Sequence, residues 1–248
     1  QATTGPQWKS RAEYDAFQVF AQEADANNKI AKIDAFLEKF KDTDFKEGAL
    51  LTKIQAYVGL KDTSGVTKTA REILKFNPHQ IHALFLLSAY FQYTFQPDGP
   101  DADSSLSQAQ KDAKTGLNVL KQMQKPPNVS DSQFAEFSKT RRLSFNNTIG
   151  FSALQQKNYA KAIDYLKAVS SETPNDALAV YRIGIAYFNS VPIDHNNSVW
   201  YLARALSLAG AGNELLNEND IRKFLTNVYV NHHKSEGGLE EIITQAAT

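Results

Sequence analysis

NYAKAIDYLKAVSSETPN, residues 158–175, spells out one helix and its end. Tyr159, Ala162, Ile163, Leu166 and Val169 recur at three- and four-residue spacing on one face, while Lys161, Asp164 and Lys167 lie off that stripe. Pro174 stops the helix, because proline disfavours helical geometry in the residue before it. Ala162 is small where its neighbours are large, so something is expected to pack close to the backbone there. The sequence nominates the segment around Gly150, one turn-connection upstream.

Outward from this stretch the same periodicity holds nearly throughout, and no run alternates with the period of two that a strand needs. Helices are expected over Ala12–Asp25, Lys29–Phe40, Glu47–Leu60, Gly65–Phe76, His82–Tyr93 and Leu106–Gln122. A long one follows from the Ser130–Gln133 capping box to Gln156, then Tyr159–Val169, Ala177–Asn189, Ser198–Ala209, Ile221–His232 and Leu239–Ile243. Asn77-Pro78, FQPDGPDADSS (95–105) and KPPN (125–128) read as breaks. ALFLLSAYFQY (83–93) is apolar nearly all round, as a central helix is.

Spacing decides between a closed bundle and a stack of helix pairs. Gly150 to Ala162, Ile54 to Val66 and Ala21 to Ile33 are each 12 residues apart, from the first helix of a pair to the second. Ala162 to Gly184 and Val66 to Ser88 are each 22, from one pair to the next. The period is therefore 34 residues, that of the tetratricopeptide repeat. IGFSALQQKNYAKAIDYLKAVSSETPN and SVWYLARALSLA resemble that family. Gly150 and Gly184 match its small position on the first helix, Ala162 and Ser198 the small position on the second, and Tyr57 and Tyr187 the aromatic position. The resemblance implies an all-α, right-handed superhelical solenoid of antiparallel helix pairs. It places repeats at about 11–42, 47–80, 81–122, 143–176 and 177–211 in one domain over 11–248, behind a tail at 1–10, with an incomplete capping pair at 221–243. Lys53 and Ile54 depart from the family's Leu and Gly, insertions interrupt the register between residues 94 and 142, and Gly184 to Ser198 is a longer turn of 14.

Composition narrows the function. Lys plus Arg and Asp plus Glu are both 27, which argues against a phosphate-backbone binder and hence against nucleic acid. No stretch reaches the ~20 apolar residues of a membrane span. There is no cysteine, which removes disulfides and thiolate chemistry and slightly favours a periplasmic or secreted protein over a cytoplasmic one. No catalytic, metal or cofactor signature stands out. His79 and His82 fall at a repeat junction, His232 and His233 end a helix, and His195 lies in a polar turn. AGAGN (209–213) follows a helix, as a cap and turn do. PDGPDADSS lacks the spaced ligands of a calcium loop.

A helical repeat without enzymatic signature points to binding. The family's usual role implies a non-enzymatic scaffold that holds a peptide or protein partner on its concave, first-helix face, with no cofactor and no need for more than one copy. Carried over by register, the groove positions are Leu51, Gln55, Phe85, Gln92, Asn147, Phe151, Tyr181, Ile185 and Phe188, with Arg182 beside them. Asn147, Tyr181 and Arg182 are the favoured surface contacts, since an amide pairs with extended backbone and Tyr and Arg are enriched at binding hot spots. The Lys/Arg/Asn clamp that one subfamily uses for a partner's C-terminus is not matched at Leu51, Gln55 and Phe85. Two other readings stand beside this one. AKIDAFLEKFKDTDFKEGALLTKIQAYVGLKD (31–62) is similar to barrel-assembly lipoproteins of the cell envelope. The 94–142 insertion, with Tyr90, Phe91, Tyr93 and Phe95 close by, could instead form a carbohydrate-binding or enzymatic pocket.

Overall fold

The computed structural model describes residues 5–209 and 216–247. The beginning of the expected tail and the AGAGN turn from residue 210 onward lie outside these residues. Among the described residues twelve helices run in order: α1 (Arg11–Ala21), α2 (Ala26–Lys39), α3 (Lys46–Gly59), α4 (Thr63–Phe76), α5 (Ile81–Thr94) and α6 (Ala102–Gln122), then α7 (Asp131–Gln155), α8 (Tyr159–Glu172), α9 (Ala177–Asn189), α10 (His195–Ala209), α11 (Glu218–His233) and α12 (Leu239–Ala247). No strand occurs among the described residues, and none of the helices there is long and apolar enough to cross a membrane. This is an all-α helical repeat of the tetratricopeptide-like kind. The chain divides into two units, Gln1–Tyr90 and Phe91–Thr248, with the division inside α5.

In the first unit α1 packs on α2, α2 on α3 and α3 on α4. Phe20, Ile33, Phe36 and Ala49 form one buried cluster. Leu50, Ile54, Val66, Ala70 and Ile73 form the next, closed by Ala83, Leu86 and Leu87 of α5. In the second unit α6 packs on α7, α7 on α8, α8 on α9 and α9 on α10, while α11 and α12 both pack on α10. Ala162, Leu166 and Val169 of α8 are buried against Ala153 of α7 and Ala179, Ile183 and Ala186 of α9. The apolar stripe of α8 thus serves two neighbours, which is why it is wide.

The repeat is visible bond by bond. The α3–α4 and α7–α8 connections place Lys61 (φ 57°) and Lys157 (φ 58°) in the left-handed region. The next N–H in each reaches back to a first-helix carbonyl: Asp62 to Tyr57 at 2.9 Å, and Asn158 to Ala153 at 2.8 Å. Asp62 and Asn158 then cap the second helices through the N–H groups of Gly65 and Lys161. Where α4 and α8 end, Asn77 N–H bonds Ile73 and Thr173 N–H bonds Val169, each at 2.9 Å. Gln80 and Asp176 cap the helices that follow, accepting from the N–H groups of Ala83 and Ala179.

The small positions are enforced by contact. A Cβ on Gly150 would lie 2.6 Å from Leu166 Cγ, and one on Gly184 2.8 Å from Leu202 Cγ and 3.1 Å from its backbone nitrogen. The residue nearest an added Gly150 Cβ is therefore Leu166, one turn beyond Ala162. Ala162 itself is fully buried. In the α9–α10 pair the second small position is polar and paired: the buried Ser198 hydroxyl donates to the Gly184 carbonyl at 3.0 Å.

Helix starts are where sequence reading slips. α2 begins at Ala26 instead of Lys29, because Asp25 is its N-cap, accepting from Asn28 N–H, and is not the tail of α1. α10 begins at His195 instead of Ser198, with Asp194 accepting from Asn197 N–H. α6 begins at Ala102 instead of Leu106, so its first four residues lie in a segment read as loop. In each case the first turn carries no apolar stripe, and in α2 and α6 it faces largely to solvent. The insertion lengthens α6 and α7 to 21 and 25 residues, and the expected Ser130–Gln133 capping box opens α7.

Candidate functional site

Within the second unit, the last turn of α5, the middle of α7 and the face of α9 bring Gln92, Asn147, Phe151 and Arg182 together. Arg182 is only 8% exposed, far less than a side chain expected on the surface. It lies beneath the face. Its Nη1 donates to Gln92 Oε1 at 3.0 Å and to Asn147 Oδ1 at 3.1 Å, and its guanidinium carbon sits 4.5 Å from the Phe151 ring centroid. Phe151 is buried too. Its ring meets Phe91 at 6.1 Å and Phe95 at 5.8 Å, edge to face, so these two aromatics are spent on packing. Tyr93 is 62% exposed.

Burial pushes the Arg182 pKa down to about 10, partly opposed by Asp176 and Tyr93. It stays cationic at neutral pH, yet among the described residues no carboxylate lies in ion-pair contact with it. Arg142, in the same unit, is the contrast. Its Nε donates to Glu172 Oε1 at 2.9 Å and its Nη2 to Glu172 Oε2 at 2.6 Å. That fork ties α7 to α8 and holds the Glu172 carboxyl below its usual pKa.

Because Arg182 is donor-only, it fixes which way two amides point. The oxygens of Gln92 and Asn147 face it, so their NH₂ groups face away. Neither NH₂ group donates to another described residue. Both side chains are half-buried. On α9, Tyr181, Ile185 and Phe188 are also half-buried. Tyr181 and Phe188 pack in part against the α10–α12 cluster, with Phe188 edge to face on Phe224 at 5.3 Å. Burial raises the Tyr181 pKa, and Asp220 adds to it.

The first unit carries the other expected positions. Gln55 is exposed on α3, and Leu51 and Phe85 are half-buried at the edge of the core that α3, α4 and α5 share.

A cavity of about 1070 Å³ opens on the second unit between the α7–α8 turn and the α9–α10 connection, lined among others by Asn158, Tyr159, Tyr187, Pro192, His195 and His232. His195 is the first residue of α10, not part of a turn, and its ring stacks on that of His232 at 4.2 Å. No local signal announces this pair, since the residues are on different helices. Among the described residues no group of three or more His, Cys, Asp or Glu side chains is placed to hold a metal ion.

No family model matches the sequence, and no curated protein matches it. Among solved structures, the chain is similar to the crystal structure of PilW, a widely conserved type IV pilus biogenesis factor. The identity is 12%, the match covers 94% of this chain and 99% of that one, and the TM-score is 0.44.

Proposed function

We propose that the protein is a non-enzymatic scaffold that binds an extended segment of a protein partner along the first-helix face of its second unit. The observation that supports this is the pair of amides set by Arg182. Gln92 and Asn147 each turn an NH₂ group away from Arg182, oriented in advance and donating to no other described residue. An extended backbone presents carbonyl acceptors at regular spacing, and fixed donors meet them at a lower entropic cost than free side chains would. Tyr181, Ile185 and Phe188 supply half-buried apolar surface beside these donors. Leu51, Gln55 and Phe85 are proposed to serve the same class of partner on the first unit.

Site-specific photo-crosslinking tests the reading. A benzophenone amino acid at Tyr181 or Ile185 is expected to trap a discrete partner in source-cell extract, whereas one at exposed Ser171 on α8 is not. Replacing both Gln92 and Asn147 with Ala should reduce the adduct. Equal adducts from Ser171 and Tyr181, or an adduct indifferent to the double substitution, would sink the assignment.

A further inference from the structure

The guanidinium of Arg182 is held on one side only. Nη1 is saturated by Gln92 and Asn147, and the guanidinium carbon lies over the Phe151 ring. Nε and Nη2 donate to no described residue, and neither is a buried atom left without a partner, so this edge keeps an opening to the surface. It is the edge that Arg142 uses to grip Glu172 in a two-pronged fork. The two arginines therefore present the same pair of donors, one closed by a carboxylate of the chain and one open. A buried cation without a counter-ion is costly, and the cost is relieved when a paired anion arrives with matching geometry. A planar carboxylate fits this edge bidentately, and an Arg held in place by packing loses little further freedom on binding it.

We infer that Arg182 is a preformed receptor for one carboxylate, supplied by an Asp or Glu side chain within the partner segment. The inference rests on the proposed scaffold function and names the chemistry of its partner. Gln92 and Asn147, which accept from Arg182, and Tyr181 and Ile185, its neighbours on α9, are all half-buried, so a segment has surface to meet beyond the carboxylate itself, which favours an internal side chain over a chain end.

The test follows the Arg182 Nε–Hε NMR signal in the full chain while probes are added. These are acetyl-Ala-Ala-Glu-Ala-Ala-amide, its Gln counterpart, and acetyl-Ala-Ala-Gln-Ala-Ala with a free C-terminus. The Glu peptide is expected to shift the signal saturably, and the Gln amide to bind at least about tenfold more weakly. Arg182→Met, which keeps the packing volume, should melt cooperatively and show no selectivity for Glu over Gln when followed by its backbone amides. If that variant does not fold, Arg182→Lys keeps the charge but cannot fork, and should weaken the Glu peptide by about tenfold or more. Equal responses to the Glu and Gln amides, no response to any probe, or unchanged Glu affinity in Arg182→Lys would overturn the inference. A response to the free C-terminus alone would overturn the side-chain assignment. If crosslinking from Tyr181 persists while the Glu peptide fails, only the carboxylate receptor falls; if both fail, so does the binding face.

Discussion

Gly184 and Gly48 are both helical glycines, and the structure assigns them opposite roles. Alanine normally stabilises a helix interior by up to about 1 kcal/mol relative to glycine. At Gly48 nothing lies within 4 Å of an added Cβ, so Gly48→Ala should raise stability by about 0.5–1 kcal/mol. At Gly184 the new carbon meets Leu202 Cγ and the Leu202 backbone nitrogen, and a helix backbone cannot retreat cheaply. Overpacking of this kind costs about 1–3 kcal/mol, so Gly184→Ala should be destabilising despite its better propensity. Urea unfolding of the two variants beside wild type measures both signs; a more stable Gly184→Ala would show that the helices are free to part.

At the scale of the element, the α3–α4 and α7–α8 connections repeat one conformation with a lysine in the left-handed region each time. That geometry costs a residue with a Cβ roughly 1–2 kcal/mol, and glycine returns part of the gain as chain entropy. Lys157→Gly should therefore stabilise the protein by about 0.5–1 kcal/mol, read as a higher melting temperature. A drop would mean that the lysine stem contributes packing not apparent from its exposure. The turn itself was legible in sequence from Asn158 and the start of the next stripe, but its handedness was not, because lysine carries no signal for positive φ. Helix starts were missed for a related reason. Asp25 and Asp194 cap helices whose first turns carry no apolar stripe, so apolar periodicity begins several residues late.

For the molecule as a whole, acid should weaken the second unit through the Arg142–Glu172 fork. The hydrogen bond from Arg142 is the largest cause of the lowered Glu172 pKa, outweighing the opposing effect of burial. A carboxyl whose folded pKa lies below its unfolded value contributes stability that is complete above the unfolded value and is lost as pH falls through the folded one. The window is thus the range below about pH 4.5, the ordinary value for Glu. Both side chains are partly exposed, at 43% and 29%, so the effect should stay under about 1 kcal/mol. Urea midpoints between pH 3 and 7 should fall less steeply for Glu172→Gln than for wild type. Parallel curves would remove the pair from the account.

The 34-residue period, the small positions and the all-helical class follow from sequence alone, because they depend on local spacing and on side-chain size at a helix contact. Tertiary structure decided which residue meets which. Leu166, one turn beyond the small Ala162, is what a Cβ on Gly150 would meet. Tertiary structure also decided the electrostatics around the two arginines. Arg142 and Arg182 look alike in sequence, but one lies against Glu172 and the other is buried between two amides and a phenyl ring. Whether a charge is paired depends on neighbours from distant parts of the chain, and no local pattern records them.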